Sequence, residues 1–471
     1  MNHFEDQEEI WWGRCGYEQS EPSDNTESFQ KNIQAVCQLI DLNKFKRAYD
    51  LWLSKCASVV DGHQEHYRVQ NEFFFRGQLK YAFKVMKKSV LLFHEESKRL
   101  GLSNLGIRFL REYTHAIGHI ALLDIYVKGK KLGLIISGEP ILVTPAPVPN
   151  WTYLNYWREY LPNIVQKPVG LSLIKKWLHL LEDRISPMLN DDGKIDVNAD
   201  YVGANKQVQI LSKWEDCGYA PLLKIKEKEQ LQGWEVLKIL GIPSDAWFVA
   251  LHVREGGNSA RVARDAQVAS YDLAIKAVVD RGGWVIRMGN SSMTPLEATP
   301  GLIDYAHSSY QSEWMDVFLW ALCRFYIGTP SGPAWVPPTF GVPCVTTNWN
   351  GFQNWRWYIK DLCIPKLLWT DKEKRYLSFE ETYDCTGGMT ESSSYLKHIS
   401  CRWIDNTREE LRDIVIEMLD RKNIQTEPVD QEIQLHKRFQ KLLKVRGIPG
   451  RAQIGTEFLK KWQKLLPAED S

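Results

Sequence analysis

No Cys-x-x-Cys, no Asp-x-Asp, no Gly-x-Gly-x-x-Gly and no Gly-rich Walker loop occurs in the 471 residues. The nine cysteines form no pair at zinc spacing with histidine, and their odd count argues for free thiols in a reducing compartment over a disulfide framework. Missing glycine motifs remove the commonest nucleoside triphosphatase and dinucleotide-binding readings. Charge of neither sign is in excess: Lys plus Arg is 59 against 58 for Asp plus Glu. No global field therefore draws in nucleic acid or an anionic membrane, and any phosphate has to be held by a local site. The longest apolar tract, around Leu132 to Val148, is broken by Glu139 and by prolines and glycines, so no transmembrane segment is expected. Met1 to Glu9 is acidic and lacks the layout of a secretory signal, which makes a cytoplasmic protein the expectation. Asn190-Asp191-Asp192-Gly193 is a surface turn and no calcium loop, since Met188 and Ala199 occupy the end ligand positions.

What is present is a length that two or three cores must share, and 19 tryptophans, read mainly as packing residues. Residues 1–26 are polar and expected to be disordered. Residues 27–100 have a helical period, and Ala48 and Ala82 fall 34 positions apart in similar surroundings, the period of a tetratricopeptide helix pair. A bundle with coincident spacing stays open; either way the region reads as a helical cap or a surface for a protein partner.

Residues 101–243 read as a first α/β domain. Its strands are Ile107–Leu110, Lys131–Ser137 and Ile141–Thr144, with a loop from Arg111, a helix from Gly118 to Tyr126, and a later helix from Ser172 to Arg184. His115 and His119 stand between the first strand and the helix, positions that serve packing, or a ligand if they line a cleft. A helix from Glu229 to Ile242, closed by Gly241 and Pro243, marks the boundary.

Residues 244–425 carry the main signal. Three short apolar runs read as buried parallel strands: Phe248 to Val253 ending in Arg254, Glu255 and glycines, Gly283 to Ile286 ending in Arg287, Met288 and Gly289, and Phe325 to Ile327 ending in Gly328, Thr329, Ser331 and Gly332. Helices at Ser270–Asp280 and Ser312–Cys323 lie between them, which is a β-α-β-α-β order. A further strand runs to about Asn348, and Asn406 with Glu409 reads as the cap of a last helix. Residues 426–471 hold basic amphipathic helices, Leu435–Val445 and Phe458–Leu466, read as tail helices packing back on the body, with a membrane-surface role as the alternative.

Open α/β sheets bind ligands at the carboxyl ends of their strands. Arg254 offers a fixed guanidinium fork suited to phosphate, His252 points to the same face of its strand, and Thr329 and Ser331 add hydroxyls. Together they would hold a pyrophosphate without a metal, in keeping with the missing Asp-x-Asp. Arg254 and Arg287 as structural ion-pair members, with Glu255 their partner, is the competing reading.

The spaced segments Leu251-His252-Val253-Arg254-Glu255, Arg264-Asp265-Ala266 with Tyr271, Val285-Ile286-Arg287-Met288-Gly289, Ile303-Asp304-Tyr305-Ala306, Met315-Asp316 and Ile327-Gly328-Thr329-Pro330-Ser331-Gly332 resemble, in order over residues 105–425, a family of bacterial glycosyltransferases found among exopolysaccharide and capsule genes. The His-x-Arg strand end is more distantly similar to fucosyltransferases of the GT-B type. The resemblance implies two Rossmann-like domains after a helical region, and a metal-independent transfer from a nucleotide-sugar donor to a glycan or lipid-linked glycan, at or near the inner face of the cytoplasmic membrane. It implies donor binding by His252, Arg254, Arg287, Met288, Gly289, Asp304, Tyr305, Asp316, Gly328, Thr329, Ser331 and Gly332, and acceptor binding in the first domain by His115 and Gly118. A catalytic base is expected at His119, or else at Glu255; no metal or other cofactor is expected. Glu255 departs from the basic residue that often follows the arginine in those fucosyltransferases. A pyruvyl or other non-glycosyl transferase, or a non-catalytic helical adaptor, are the rival readings.

Overall fold

The computed structural model describes residues 24–60, 62–76, 78–110, 112–135, 138–144, 147–166, 180, 202–256, 263–297, 299–352, 355–386, 393–421 and 430–467. The expected helix Ser172–Arg184 and the acidic turn after it lie outside the described residues, apart from Leu180. The chain divides into two compact units, residues 1–149 with 157–203, and residues 150–156 with 204–471.

Among the described residues the first unit opens with four helices, Asp24–Asp41, Phe45–Lys55, His63–Phe75 and Leu79–Arg99. The first of them starts inside the stretch expected to be disordered. Phe29, Ile33, Val36 and Ile40 recur at helical spacing and are buried, as are Ala82, Val85 and Phe93 on the last helix, so each helix presents one apolar stripe to a common core. Trp52 Nε1 donates to His66 Nδ1 at 3.2 Å, and Nε2 then carries the proton to the Val59 carbonyl at 2.8 Å. Burial lowers the His66 pKa, consistent with this neutral tautomer. Ala48 and Ala82 both lie in this core. They sit on the second and fourth helices, which pack mainly against the first and the third respectively; a 3-10 turn, Leu102–Leu105, and then a strand follow, so among the described residues the 34-residue spacing occurs once and does not continue into a third helix pair.

Strands β1 (Ile107–Leu110), β2 (Glu139–Thr144) and β3 (Ile164–Gln166) form a parallel sheet in that order. The expected strand Lys131–Ser137 is absent from its described part: helix continues through Leu123–Lys131 and ends in a turn at Gly133, whose φ is 68°. The helix expected from Gly118 is split at Leu122 into Ile117–Ala121 and Leu123–Lys131. In the second piece the buried Asp124 and Lys128 pair at 2.5 Å across one turn.

The second unit is built on seven parallel strands: β4 (Phe248–His252), β5 (Trp284–Arg287), β6 (Leu302–Ile303), β7 (Tyr326–Gly328), β8 (Cys344–Trp349), β9 (Leu362–Pro365) and β13 (Gln453–Ile454). Their order is β13-β9-β8-β7-β4-β5-β6. Every residue of β4 and β8 is buried; β4 accordingly reads as a continuous apolar run up to Leu251 instead of an alternating one, while β8 buries the polar residues Thr346, Thr347 and Asn348. A small antiparallel sheet of β10 (Leu367–Thr370), β11 (Arg375–Tyr376) and β12 (Cys401–Ile404) adjoins β9 along the chain.

Three boundaries differ from the sequence reading. Residues 204–243 belong to the second unit; Gly233 of helix Glu227–Ile239 lies so close to the Phe318 ring that an added Cβ would sit 2.1 Å from it. Residues 150–156 also belong there, because Glu313 accepts from the amides of Trp151 and Thr152 at 2.7 and 3.2 Å. The carboxyl-terminal segment is core: Leu435, Phe439, Leu442 and Leu443 are buried in the same cluster as β4 and β9, and β13 adds an unforeseen strand. The last helix of the 244–425 region, Arg408–Asp420, is capped one residue later than expected, by Thr407 and Glu410 in a capping box. Asn406 is occupied elsewhere, accepting from the Asn348 amide at 2.6 Å and donating to the Pro365 carbonyl at 2.8 Å.

Candidate functional site

In the order β6-β5-β4-β7-β8-β9 the chain winds outward from β4 in one direction and then returns to its other side with β7. The β4/β7 boundary is thus a topological switch point, where connections leave in opposite directions and open a crevice at the carboxyl ends of the strands. Two of the three strand ends singled out in the sequence meet here. The Thr329 amide donates to the His252 carbonyl at 3.3 Å, and the Arg254 amide donates to Thr329 Oγ1 at 2.9 Å. Ser331 Oγ lies 3.3 Å from His252 Nδ1 and donates to the Thr329 carbonyl at 3.2 Å. With the serine proton placed there, the histidine proton sits on Nδ1. Burial and then the Arg287 charge lower His252 to about 4, so the ring is neutral near pH 7. Gly328 is required by close approach: a Cβ there would stand 2.5 Å from the His252 carbonyl oxygen. Gly332 opens the short 3-10 helix Gly332–Trp335 just beyond.

The cations are partnered. Arg254 pairs with Asp265, and both side chains keep less than a fifth of their surface exposed; the Ala266 amide returns to the Arg254 carbonyl at 3.0 Å, pinning the loop that carries the aspartate. Arg287, fully buried, lies 3.1 Å from Asp304 and 3.4 Å from Glu255. Glu255 also accepts from the amides of Val268 at 3.2 Å and Thr294 at 2.9 Å, so both its oxygens are engaged. Asp304 accepts in addition from the Leu296 amide at 2.9 Å and contacts His307 at the same distance. Met288 is buried, with its amide on the Leu251 carbonyl at 2.7 Å. Gly289 has φ 149° and would meet Met293 Sδ 2.3 Å from an added Cβ. Tyr305 is buried and its hydroxyl accepts from the Ser312 amide at 3.0 Å. Burial, opposed by a hydrogen bond from Tyr305, pushes the Asp316 carboxyl up to about 7.

The structure therefore brings His252, Arg254, Gly328, Thr329 and Ser331 to one crevice, and Glu255, Arg287 and Asp304 to an ion-pair network beside it. In the first unit, Gly118 is buried and His115 and His119 are half-buried around the start of helix Ile117–Ala121. Sequence reasoning missed Lys366, whose buried Nζ donates to the Asp265 carbonyl and to Asp405 Oδ1, each at 2.7 Å. It also missed the buried polar cluster of Tyr271, Thr347, Asn348 and Asn406, in which Tyr271 Oη lies 2.6 Å from Thr347 Oγ1 and accepts from Asn348 Nδ2 at 3.2 Å. The positive φ of Asn348, 53°, suits an asparagine, a weak signal that could have marked it. Among the described residues no group of three or more His, Cys, Asp or Glu is disposed to hold a metal ion, and no helix is long and apolar enough to cross a membrane.

No family model and no curated protein matches the chain. Among solved structures it is similar to a glycosyl transferase family 9 protein from Veillonella parvula, with 13% identity over 51% of this chain and 79% of that one and a TM-score of 0.30. It is also similar to ADP-heptose LPS heptosyltransferase II of E. coli, with 13% identity, 67% and 99% coverage and a TM-score of 0.38. A third similar structure is the E. coli heptosyltransferase WaaC with ADP, with 8% identity, 62% and 96% coverage and a TM-score of 0.32. Superpositions this loose define no function for the chain.

Proposed function

We propose that the protein is a glycosyltransferase of the GT-B class that transfers a sugar from a nucleoside-diphosphate donor to a glycan acceptor in cell-surface polysaccharide assembly. The observation that carries this reading is the convergence of His252, Arg254, Thr329 and Ser331 on the switch point of a parallel sheet, the place where such sheets bind nucleotides. The sequence resemblance over the same residues supports it independently. In this reading the Arg254 guanidinium and the Thr329–Gly332 turn neutralise the diphosphate as the bond to the anomeric carbon breaks. A base removes the proton of the attacking acceptor hydroxyl. His119 is the better candidate, since Glu255 already accepts from two amides and a guanidinium; His115 and Gly118 belong to the acceptor side. The charge on the leaving group is met by protein groups, with no metal required. The helices from residue 24 to 99 serve a docking role toward a protein partner or acceptor.

The test is release of nucleoside diphosphate from a panel of nucleotide-sugars, with and without glycan acceptors. Acceptor-stimulated release from one donor is the expected result. No turnover of any nucleotide-sugar, with transfer from a phosphoenolpyruvate-type donor, would move the assignment to a non-glycosyl transferase.

A further inference from the structure

Beside the switch point, a recess of about 680 Å³ opens where the loop after β4 meets the β9–β10 junction and the end of β12. Its walls include Ala266, Val268, Ala269, Leu396 and Trp403, and Lys366 and Asp405 line it as well. We propose that this recess takes the nucleoside of a ribonucleoside diphosphate, with Asp405 receiving the ribose hydroxyls; the inference rests on the donor reading above.

The volume falls within the range of small-molecule sites, roughly 300–1,000 Å³, and an apolar wall with a few placed polar groups is their usual composition. Asp405 has the attributes of a placed group. Its carboxylate is 44% exposed while the lysine that holds it is only 3% exposed. Lys366 Nζ fixes Oδ1 at 2.7 Å, which orients the carboxylate and leaves Oδ2 without a protein partner among the described residues. Hydroxyl protons donate well to such a charged acceptor, and an acidic residue on the ribose diol is a recurring device in nucleotide sites on parallel sheets. The lysine is itself held by a second bond, to the Asp265 carbonyl, and the Asp265 side chain pairs with Arg254. A continuous chain of polar contacts, Asp405 to Lys366 to Asp265 to Arg254, therefore leads from the recess to the end of β4. In this assignment the base lies against the apolar wall and the ribose on Asp405, and the diphosphate extends along that chain toward Arg254, whose partner Asp265 itself lines the recess.

The experiment is calorimetric titration of the full chain with ADP, GDP, UDP and CDP, with their 2′-deoxy counterparts and with inorganic pyrophosphate. The variants are Asp405→Asn and Ala269→Trp; the latter fills the recess from an exposed position and leaves the core intact. The wild type should bind one ribonucleotide roughly tenfold or more tighter than its deoxy form. Asp405→Asn should erase that preference, Ala269→Trp should abolish nucleotide binding, and both should bind pyrophosphate as the wild type does. Equal affinity for ribo and deoxy forms in the wild type, or unchanged nucleotide binding in Ala269→Trp, would overturn the recess assignment and leave the donor reading standing. If the wild type binds no nucleoside diphosphate at all, both fall together.

Discussion

Removing Arg254 separates a ligand-binding role from a structural one, because the structure supplies a partner that can be removed with it. Arg254 and Asp265 are each partly shielded, at 18% and 17% exposure. Exposed pairs contribute about 0–1 kcal/mol, and breaking a buried pair costs about 3–5 kcal/mol. This pair lies between, so Arg254→Ala alone should destabilise the fold by roughly 1–3 kcal/mol, mostly through the carboxylate left behind. Arg254→Ala/Asp265→Ala removes that carboxylate and should recover much of the melting temperature. The ligand contribution behaves differently. A guanidinium lost from a diphosphate costs about 1.5–3 kcal/mol, on the order of ten- to hundredfold in affinity, and the double variant does not recover it. Arg254→Lys keeps the charge without the fork and should fall between. The assay is nucleoside diphosphate affinity by calorimetry, with the melting temperature of every variant recorded alongside. Wild-type affinity in the double variant would make Arg254 a structural ion-pair member and refute its assignment to the donor.

Three further outcomes are expected. The Asp316 carboxyl, raised by burial to about 7, lies above its unfolded value, so the stability it contributes is complete below about pH 4 and is lost as pH rises through 7. Asp316→Asn should therefore melt above wild type at pH 8 and level with it at pH 4. The ceiling for this effect is about 4 kcal/mol, and partial exposure brings it to roughly 1–2 kcal/mol; a gain independent of pH would discard the titration account. His119→Ala should lower kcat with nucleoside diphosphate affinity unchanged, and a fully active variant would take His119 out of the chemistry. Turnover should survive chelation by EDTA, whereas activity restored only by added manganese or magnesium would show that the protein groups do not suffice.

The main sheet was legible because fully buried parallel strands need no alternation. Phe248–Leu251 is an unbroken apolar run, and the glycine and hydroxyls that follow Ile327 mark where strand Tyr326–Gly328 ends. Helix Glu313–Leu322 was legible from Met315 and Leu319, both buried at helical spacing. Elements of two residues, such as β13, carry no period, and their existence depends on a tertiary neighbour, here β9. The exchange of residues 150–156 into the second unit turns on partners far away in the sequence, Glu313 for the amides of Trp151 and Thr152, and Thr339 and Phe340 for Tyr153. The site was half legible for a similar reason. A strand end can be recognised as cationic from its own residues, but whether Arg254 or Arg287 is paired depends on Asp265, Glu255 and Asp304, which reach it from loops. Lys366 and Asp405 escaped notice because a lone lysine and a lone aspartate at a strand junction resemble ordinary surface charges until burial is known.

Nucleotide binding on one face of the second unit is the central proposal, and hydrogen–deuterium exchange of the full chain with and without saturating nucleoside diphosphate tests that location directly. Protection is predicted in residues 252–256, 263–269 and 329–335 at the switch point, and in 401–405 at the recess, with helices 24–99 unchanged. Protection confined to the first unit, or none at ligand concentrations that saturate binding by calorimetry, would contradict it.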